Sequence, residues 1–477
     1  MPEPEPIAKA ELFARLPRPW PDESLPRQIA AHLAASRQCV VALDDDPTGT
    51  QTVHDVWVVT HWRVDDLRRA LAAGEPAMYV LTNTRSLPLG EAQARVSEIA
   101  KNLLVAAREV NRPLIVVSRS DSTLRGHFPG ETDALARALG DPPFDGVCLI
   151  PFFAEGGRYT VEDVHWVEQG GKLVPAAQSA YARDAVFGYR ASHLPAWVEE
   201  KAGGRIRAAQ VVSLSLELIR GGGPEAVAAR LRRVTGGQVV VVNAADDQDL
   251  NVFVRGVQLA EGKRFLFRTA ASFVRAAAGL AATPLLTAQG LLGQRPAGGG
   301  LTVFGSHVPM SSAQLAAARQ LPLLEAVELR VPDVLQATQR RTAVAEAARR
   351  LNAALAEGRD AVVFTSRELA RGADPAADLS ISQAVSAALM ETVGLVHTEP
   401  RYIIGKGGIT SSDLAVHGLG MRAARVLGQV LPGVPVWQSG AGSRWPGLPL
   451  IVFPGNVGHE QSVADLITGF RAASMRR

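Results

Sequence analysis

Cysteine is nearly absent: two residues in 477, Cys39 and Cys148, exclude a disulfide framework. Both lie in apolar, strand-like runs and read as buried thiols in a reducing compartment. No His-x-x-x-His or Cys-x-x-Cys spacing offers a zinc site. Long apolar runs are missing too; the longest, Val147 to Ala154, falls far short of the roughly 20 residues that span a bilayer. A surplus of one charge is lacking, with 50 Lys and Arg against 47 Asp and Glu and a net charge of +3. The basic residues are dispersed, which argues against a nucleic-acid or membrane partner. Met1 to Pro6 alternates Pro and Glu without the basic and apolar regions of a secretion signal. A cytoplasmic location and a mobile Pro-rich start are the expectation. Familiar nucleotide motifs are likewise missing. There is no Gly-x-x-x-x-Gly-Lys-Ser/Thr loop, and Gly405-x-Gly407 and Gly440-x-Gly442 lack a third glycine.

What is present is the composition of a soluble globular protein, 47% hydrophobic and 20% charged, with length for two or three domains. One stretch organises the rest, Val40-Val41-Ala42-Leu43-Asp44-Asp45-Asp46-Pro47-Thr48-Gly49-Thr50-Gln51. Its short unalternating apolar run suits a parallel strand buried on both faces, and Pro47 and Gly49 force a turn. Three carboxylates therefore stand at the C-terminal mouth of a central strand, where open α/β sheets bind ligands. Adjacent acids repel one another unless a cation or polar ligand compensates them, so a functional site outweighs a solvated acidic turn. The pattern Asp44-x-Asp46-x-Thr48 also resembles the haloacid-dehalogenase-type phosphatases, with Asp44 as nucleophile and Asp46 as general acid/base.

Apolar strands, polar turns and Ala-rich helices alternate along the chain, as in α/β domains. Expected strands include Val56 to Thr60, Ala77 to Thr82, Pro113 to Ser118 and Gly146 to Phe153; Glu91 to Val110 is a long amphipathic helix. Gly290 to Gly300 is the best linker candidate, with Gly and Pro in quick succession. A second strand-turn-helix series starts at Leu301 and includes an expected helix from Leu414 to Val426. The reading is two α/β domains, 1–290 and 301–477, each with a mainly parallel or mixed sheet flanked by helices. The active site is expected in the cleft between them.

In the first domain, dense polar turns follow the strands and would converge on one sheet edge. They supply Asn83, Arg85, Arg119, Asp121, Ser122, Arg125 and Arg158 besides the acids. Arginine forks bind a carboxylate at two points while Asp and Asn orient hydroxyls, which suits a small polyhydroxylated acid. Several of these residues could equally cap helices or bridge loops. In the second domain, Gly305-Ser306, Gly407-Gly408-Ile409-Thr410 and Pro454-Gly455-Asn456 each join a strand to a helix. Glycine there lets backbone N–H groups approach a phosphate, although it is also the default residue of tight turns.

The combination Asp45-Asp46-Pro47-Thr48-Gly49, Ser120-Asp121-Ser122-Thr123-Leu124-Arg125-Gly126, Gly305-Ser306 with Gln314, and Gly407-Gly408-Ile409-Thr410 resembles the four-carbon acid sugar kinase family. The resemblance runs in order over nearly the whole chain. It implies an ATP-dependent kinase, using Mg²⁺, that phosphorylates a hydroxyl of a tetronate or 3-oxo-tetronate. It implies an N-terminal sugar-acid domain and a C-terminal nucleotide domain. Asp46, with Asp45 as alternative, would lie near the acceptor hydroxyl. Arg119 and Arg125 would hold the carboxylate, and Asp121 and Asn83 the hydroxyls. Gly305, Ser306, Gly407, Gly408, Thr410, Gly455 and Asn456 would surround the nucleotide. The metal ligands are left unassigned. The chain departs from the family where Gly-Gly-Glu-Thr becomes Gly407-Gly408-Ile409-Thr410, and where Ser-Gly-Asn-Phe-Gly becomes Pro454-Gly455-Asn456-Val457-Gly458. It therefore resembles a divergent branch, and a metabolite sensor that kept both pockets is a third reading beside kinase and phosphatase.

Overall fold

The structure, a computed structural model, describes residues 3–140, 142–368 and 375–475. The chain forms two compact units, Met1–Ala282 and Thr283–Arg477. In the first, the main strands lie in the order Val212–Leu214, Gln238–Val242, Gly146–Ile150, Phe265–Thr269, Leu114–Arg119, Cys39–Asp44, Ala77–Leu81 and Val56–Val59. Every neighbouring pair in that row is parallel. The opening stretch is the strand Cys39–Asp44, buried at every position and paired on both sides. Parallel pairing brings the strand ends to a common edge, with Asp44 in register with Leu81 and Arg119, and Arg119 with Thr269.

Helices cover this sheet because their apolar residues recur at three- and four-residue spacing. The helix Leu89–Glu109 buries Val96, Ile99, Ala100, Leu103 and Ala106 in one cluster with Val41, Leu43, Val80 and Val116. Each fully buried Val, Leu or Ile of this kind stabilises the fold by roughly 1.5–3 kcal/mol. A small antiparallel sheet orders Ile7–Ala8, Lys172–Pro175, Val164–Gln169 and Arg158–Val161. From Glu3 onward the Pro-rich start is packed rather than mobile: Ile7 pairs with Leu173, and the Glu3 carboxylate accepts the Ser192 N–H.

The second unit has a mixed sheet in the order Ala423–Leu431, Val434–Ser439, Pro449–Phe453, Ile403–Lys406, Leu301–Phe304, Asp360–Thr365 and Leu324–Leu329. The strands from Pro449–Phe453 onward are parallel, whereas the first two form an antiparallel hairpin. Two expectations change here. The helix expected over 414–426 ends early: a helix spans Gly408–Asp413, a wider helical turn spans Leu414–Gly418, and Ala423–Leu431 is a strand. Its alternate burial, with Ala424, Val426 and Val430 inward, shows that a two-residue period overrides the local helical reading. The Gly290–Gly300 segment is also no linker. Leu292 ends a helix, Ala288–Leu292, and is fully buried in the second unit's core. A β-carbon at Gly300 would lie 2.0 Å from the Tyr402 ring, so this glycine allows tight packing instead of flexibility. The units divide instead at Ala282 and Thr283, within an exposed irregular segment, 281–285.

Candidate active site

At the strand ends of the first unit the three acids take different environments. The Asp44 carboxylate accepts Arg119 Nη1 at 2.8 Å and is 1% exposed. The backbone of Gly49 closes over it; a β-carbon there would lie 2.1 Å from Asp44 Oδ2. Burial pushes the Asp44 carboxyl up to about 7 against the pull of Arg119, and Asp45 and Asp46 push the same way. A group sealed in this way cannot serve as a phosphatase nucleophile, so the structure corrects that reading of Asp44. Asp45 is also buried, held by Arg85 Nε at 3.2 Å and by the Ser120 hydroxyl. Asp46 is the accessible member, with its side chain 21% exposed. It accepts the Thr48 N–H at 2.9 Å, capping the turn Pro47–Thr50, and lies 3.4 Å from Arg85 Nη1. Burial works to raise its carboxyl, but Arg85, Arg119 and Thr48 outweigh that and hold it below the usual carboxylate range.

The loop from Ser120 to Gly126 forms the next wall. Asp121 accepts Arg125 Nε at 2.7 Å and the Thr123 hydroxyl, and despite burial Arg85 and Arg125 keep it well below the ordinary range. The loop is supported from beneath. The buried His165 ring contacts the Ser122 carbonyl at 2.7 Å, and the Tyr189 hydroxyl donates to the Thr123 carbonyl at 2.8 Å. Burial drives the His165 pKa down to about 4, so the ring is a neutral strut. Arg125 and Arg158 both lie over the Tyr181 ring, 5.1 and 5.5 Å from its centroid. Asn83 opens the neighbouring turn in a left-handed conformation, φ 51°, and its carbonyl accepts the Ser86 hydroxyl.

Thus Asp45, Asp46, Asn83, Arg85, Arg119, Asp121, Ser122 and Arg125 share one edge, with Arg158 joined through Tyr181. The expected role of Arg119 changes, because its guanidinium is 4% exposed and spent on Asp44 and the Asp46 carbonyl. Arg85, Arg125 and Arg158 are the more open cations. Sequence reading missed Arg268 and Glu131. Arg268 lies one residue before the end of its strand beside this edge, 4% exposed, with Nη1 without a partner among the described residues and Nη2 donating to the Arg125 carbonyl at 3.3 Å. Glu131 is buried and accepts the Thr84 hydroxyl. The signal for Arg268 was available: Phe265-Leu266-Phe267-Arg268-Thr269 has the same apolar-run-to-polar form as the opening stretch.

In the second unit the glycine turns meet one another. A β-carbon at Gly305 would lie 2.2 Å from Thr410 Oγ1, one at Gly407 3.0 Å from Ser306 Cβ, and one at Gly455 3.1 Å from Ser306 Oγ. Gly407 has φ 116°, which side-chain-bearing residues rarely adopt. The Ser311 hydroxyl ties this junction together, 3.0 Å from Ser306 Oγ and 3.1 Å from the Gly455 carbonyl. Lys406, also missed in the sequence, is fully buried beneath it and donates to the Pro454 and Gly455 carbonyls. Burial draws its ammonium down to about 7, and it lies 4.2 Å from the centre of the Phe453 ring. Arg367 donates to the Ser306 carbonyl and Ser312 hydroxyl at 2.7 Å, and its buried Nε and Nη1 have no partner among the described residues. Ile409 is 67% exposed, so the departure from Glu at this position disturbs no packing of the turn. Asn456 is exposed on the loop after Gly455.

These two sites coincide with two family models: a sugar-binding N-terminal domain over residues 40–277 and a nucleotide-binding C-terminal domain over residues 301–463. The chain belongs to the four-carbon acid sugar kinase family. It is 30% identical over 188 residues to a D-erythronate kinase of Heliobacterium modesticaldum, covering 38% of each chain. It is 31% identical over 220 residues to a D-threonate kinase of Bordetella bronchiseptica, covering 45% of this chain and 48% of the relative. The match spans less than half the length of either curated relative. Two solved structures share the fold of this family member, both at 18% identity. One, from Salmonella typhimurium LT2, is described as a putative tRNA synthase and has a TM-score of 0.66 over 92% of this chain and 98% of its own. The other is a Haemophilus influenzae protein with a TM-score of 0.59 over 91% and 100%.

Proposed function

We propose that the chain is an ATP-dependent kinase that phosphorylates a hydroxyl of a four-carbon sugar acid such as a tetronate or 3-oxo-tetronate. The observation that carries this reading is the arginine-rich edge around Asp46 in a unit that matches a sugar-binding domain, in a chain whose other unit matches a nucleotide-binding domain. Arg125 supplies a planar fork for the substrate carboxylate, with Arg158 as the next cation, while Arg85 spends its own fork on Asp45 and Asp46 and holds them in place. Asp121 and Asn83 face the hydroxyls. Arg119 serves this edge indirectly, by compensating Asp44.

Phosphoryl transfer is chiefly positioning and charge neutralisation. A carboxylate held below its ordinary range is a weak base, so Asp46 orients the acceptor hydroxyl by accepting its proton in a hydrogen bond. Full proton transfer would follow as phosphorus bonding lowers the hydroxyl's pKa. ATP fits the second unit's junction: glycines leave space for close approach, and the Arg367 nitrogens without a partner among the described residues suit an anion. Mg²⁺ would neutralise charge on the nucleotide's phosphates.

The test is ATP consumption with a panel of D- and L-tetronates and their 3-oxo forms, alongside phosphate release from the corresponding phosphates. Acid-dependent ADP formation supports the kinase. Phosphate release without ATP use would overturn the kinase, and binding of both ligands with no turnover would identify a sensor.

A further inference from the structure

A cavity lies in the first unit at the opposite edge of its sheet, among the starts of the strands Leu114–Arg119 and Phe265–Thr269. These strands pair only from Val117 with Phe267 onward. Ile115 and Phe265, two positions earlier, bond instead to their outer neighbours, Val40 and Gly146. The pair therefore splays, and the slot between the strand starts opens into a cavity of about 520 Å³. That volume falls within the roughly 300–1,000 Å³ of small-molecule sites. Its walls come from both faces of the sheet: Leu104 from the helix Leu89–Glu109 on one side, Val257 from the helix Asp247–Leu259 on the other. Leu104, Leu114, Ile115 and Val257 are only half-buried although they sit on core elements, so apolar surface is left uncovered.

The rim is cationic. Arg108, Arg112, Lys263 and Arg264 line it, against Glu261 and the Asp145 that pairs with Lys263. Arg112 donates to the backbone carbonyls of Leu71, Gly74 and Glu75, which satisfy its hydrogen bonds without neutralising its charge. Arg264 likewise donates to the Leu139 and Pro142 carbonyls and stacks on Phe144. Among the described residues no carboxylate side chain forms an ion pair with Arg108 or Arg112, while Asp145, already paired with Lys263, also accepts the Arg264 N–H and feels its charge.

We propose that this slot is a binding site for a small amphipathic anion, an apolar chain or ring bearing one carboxylate or similar acidic head. The splayed strands would take the apolar body and the rim would hold the head. Desolvating a chain between two strands releases water from apolar surface, while the head keeps both water and cations at the rim.

The test is calorimetric titration of the full-length protein, below micellar concentrations, with three probes sharing a twelve-carbon tail: dodecanoate, dodecanol and dodecyltrimethylammonium. Saturable one-site binding of dodecanoate, at least about tenfold tighter than either other probe, is expected. Val257→Trp and Leu104→Trp fill the slot from opposite faces and should each weaken dodecanoate about tenfold. Arg108→Glu, an exposed change, should weaken it several-fold with an unaltered melting temperature. No saturable binding of dodecanoate, equal binding of all three probes, or unchanged affinity in folded Trp variants would each overturn the site. If one Trp variant fails to fold, the other and the three-probe comparison decide.

Discussion

At the strand ends of the first unit charged side chains come forward, whereas at those of the second the backbone does. The first edge is a lattice of carboxylates and guanidiniums in which Asp44 with Arg119, Asp45 with Arg85, and Asp121 with Arg125 fix one another. The second is built from Gly305, where a β-carbon would clash with Thr410, and from Gly407 and Gly455, where one would press on Ser306. The first edge should therefore tolerate small changes of shape but not of charge, and the second the reverse. Exposed Ile409 in place of a carboxylate is consistent with that reversal.

The sharpest way to break the contrast is Asp46→Asn, which keeps shape and removes charge. Turnover should fall by roughly 10² or more while ATP binding is unchanged, read by steady-state kinetics and nucleotide titration. Full turnover in the variant would remove Asp46 from the reaction. The converse experiment is Gly407→Ala, which changes shape and no charge. With φ at 116° and Ser306 Cβ in the way, it should cost ~1–3 kcal/mol in backbone strain and weaken nucleotide binding about tenfold, with sugar-acid affinity intact. Equal nucleotide affinity in the folded variant would show that the turn does not touch phosphate. Arg125→Lys tests geometry within the charged edge. Losing the planar fork should raise the KM for the acid several-fold with kcat little changed, and an unaltered KM would take Arg125 out of the carboxylate site.

The smallest effect is one of pH, and its sign differs between the units. Asp44 has a folded pKa raised to about 7, above its ordinary 3.8, so the folded state binds the proton more tightly between these values. Its contribution to stability falls as pH rises from about 4 to 7. Lys406 has a folded pKa lowered to about 7 from 10.5, so there the unfolded chain holds the proton and stability rises from about pH 7 to 10. Denaturant midpoints across pH should lose the acid-side slope in Asp44→Asn and the alkaline slope in Lys406→Met. Unchanged slopes in both folded variants would show that neither group is desolvated as described.

The same contrast explains what the sequence made legible. Buried parallel strands declare themselves through unbroken runs of Val, Ile and Leu, as in Val40 to Leu43, and the polar residues after each run marked the site edge. Ion pairing was not legible. Nothing local distinguishes Arg119, turned inward on Asp44, from Arg125, which stays more open. Long-range pairing was equally hidden. The strand Ala423–Leu431 needs Val434–Ser439 beside it, and Ile7–Ala8 needs Lys172–Pro175. In the Gly290–Gly300 segment composition suggested freedom, but Gly300 lies against Tyr402 and Leu292 is buried.

That packed segment decides where the chain can be cut. A protease needs several residues of extended backbone, and 281–285 are exposed and irregular while Leu292, Gly299 and Gly300 are buried. Limited digestion should nick between the helices Ala271–Ala277 and Ala288–Leu292. A recombinant fragment starting at Gly300 would discard Leu292, whose carbonyl accepts Arg401 Nη2 at 2.8 Å, and leave an apolar hole and a buried guanidinium without that acceptor. One starting at Thr283 keeps both, and is the piece to prepare when the two halves are to be assayed apart.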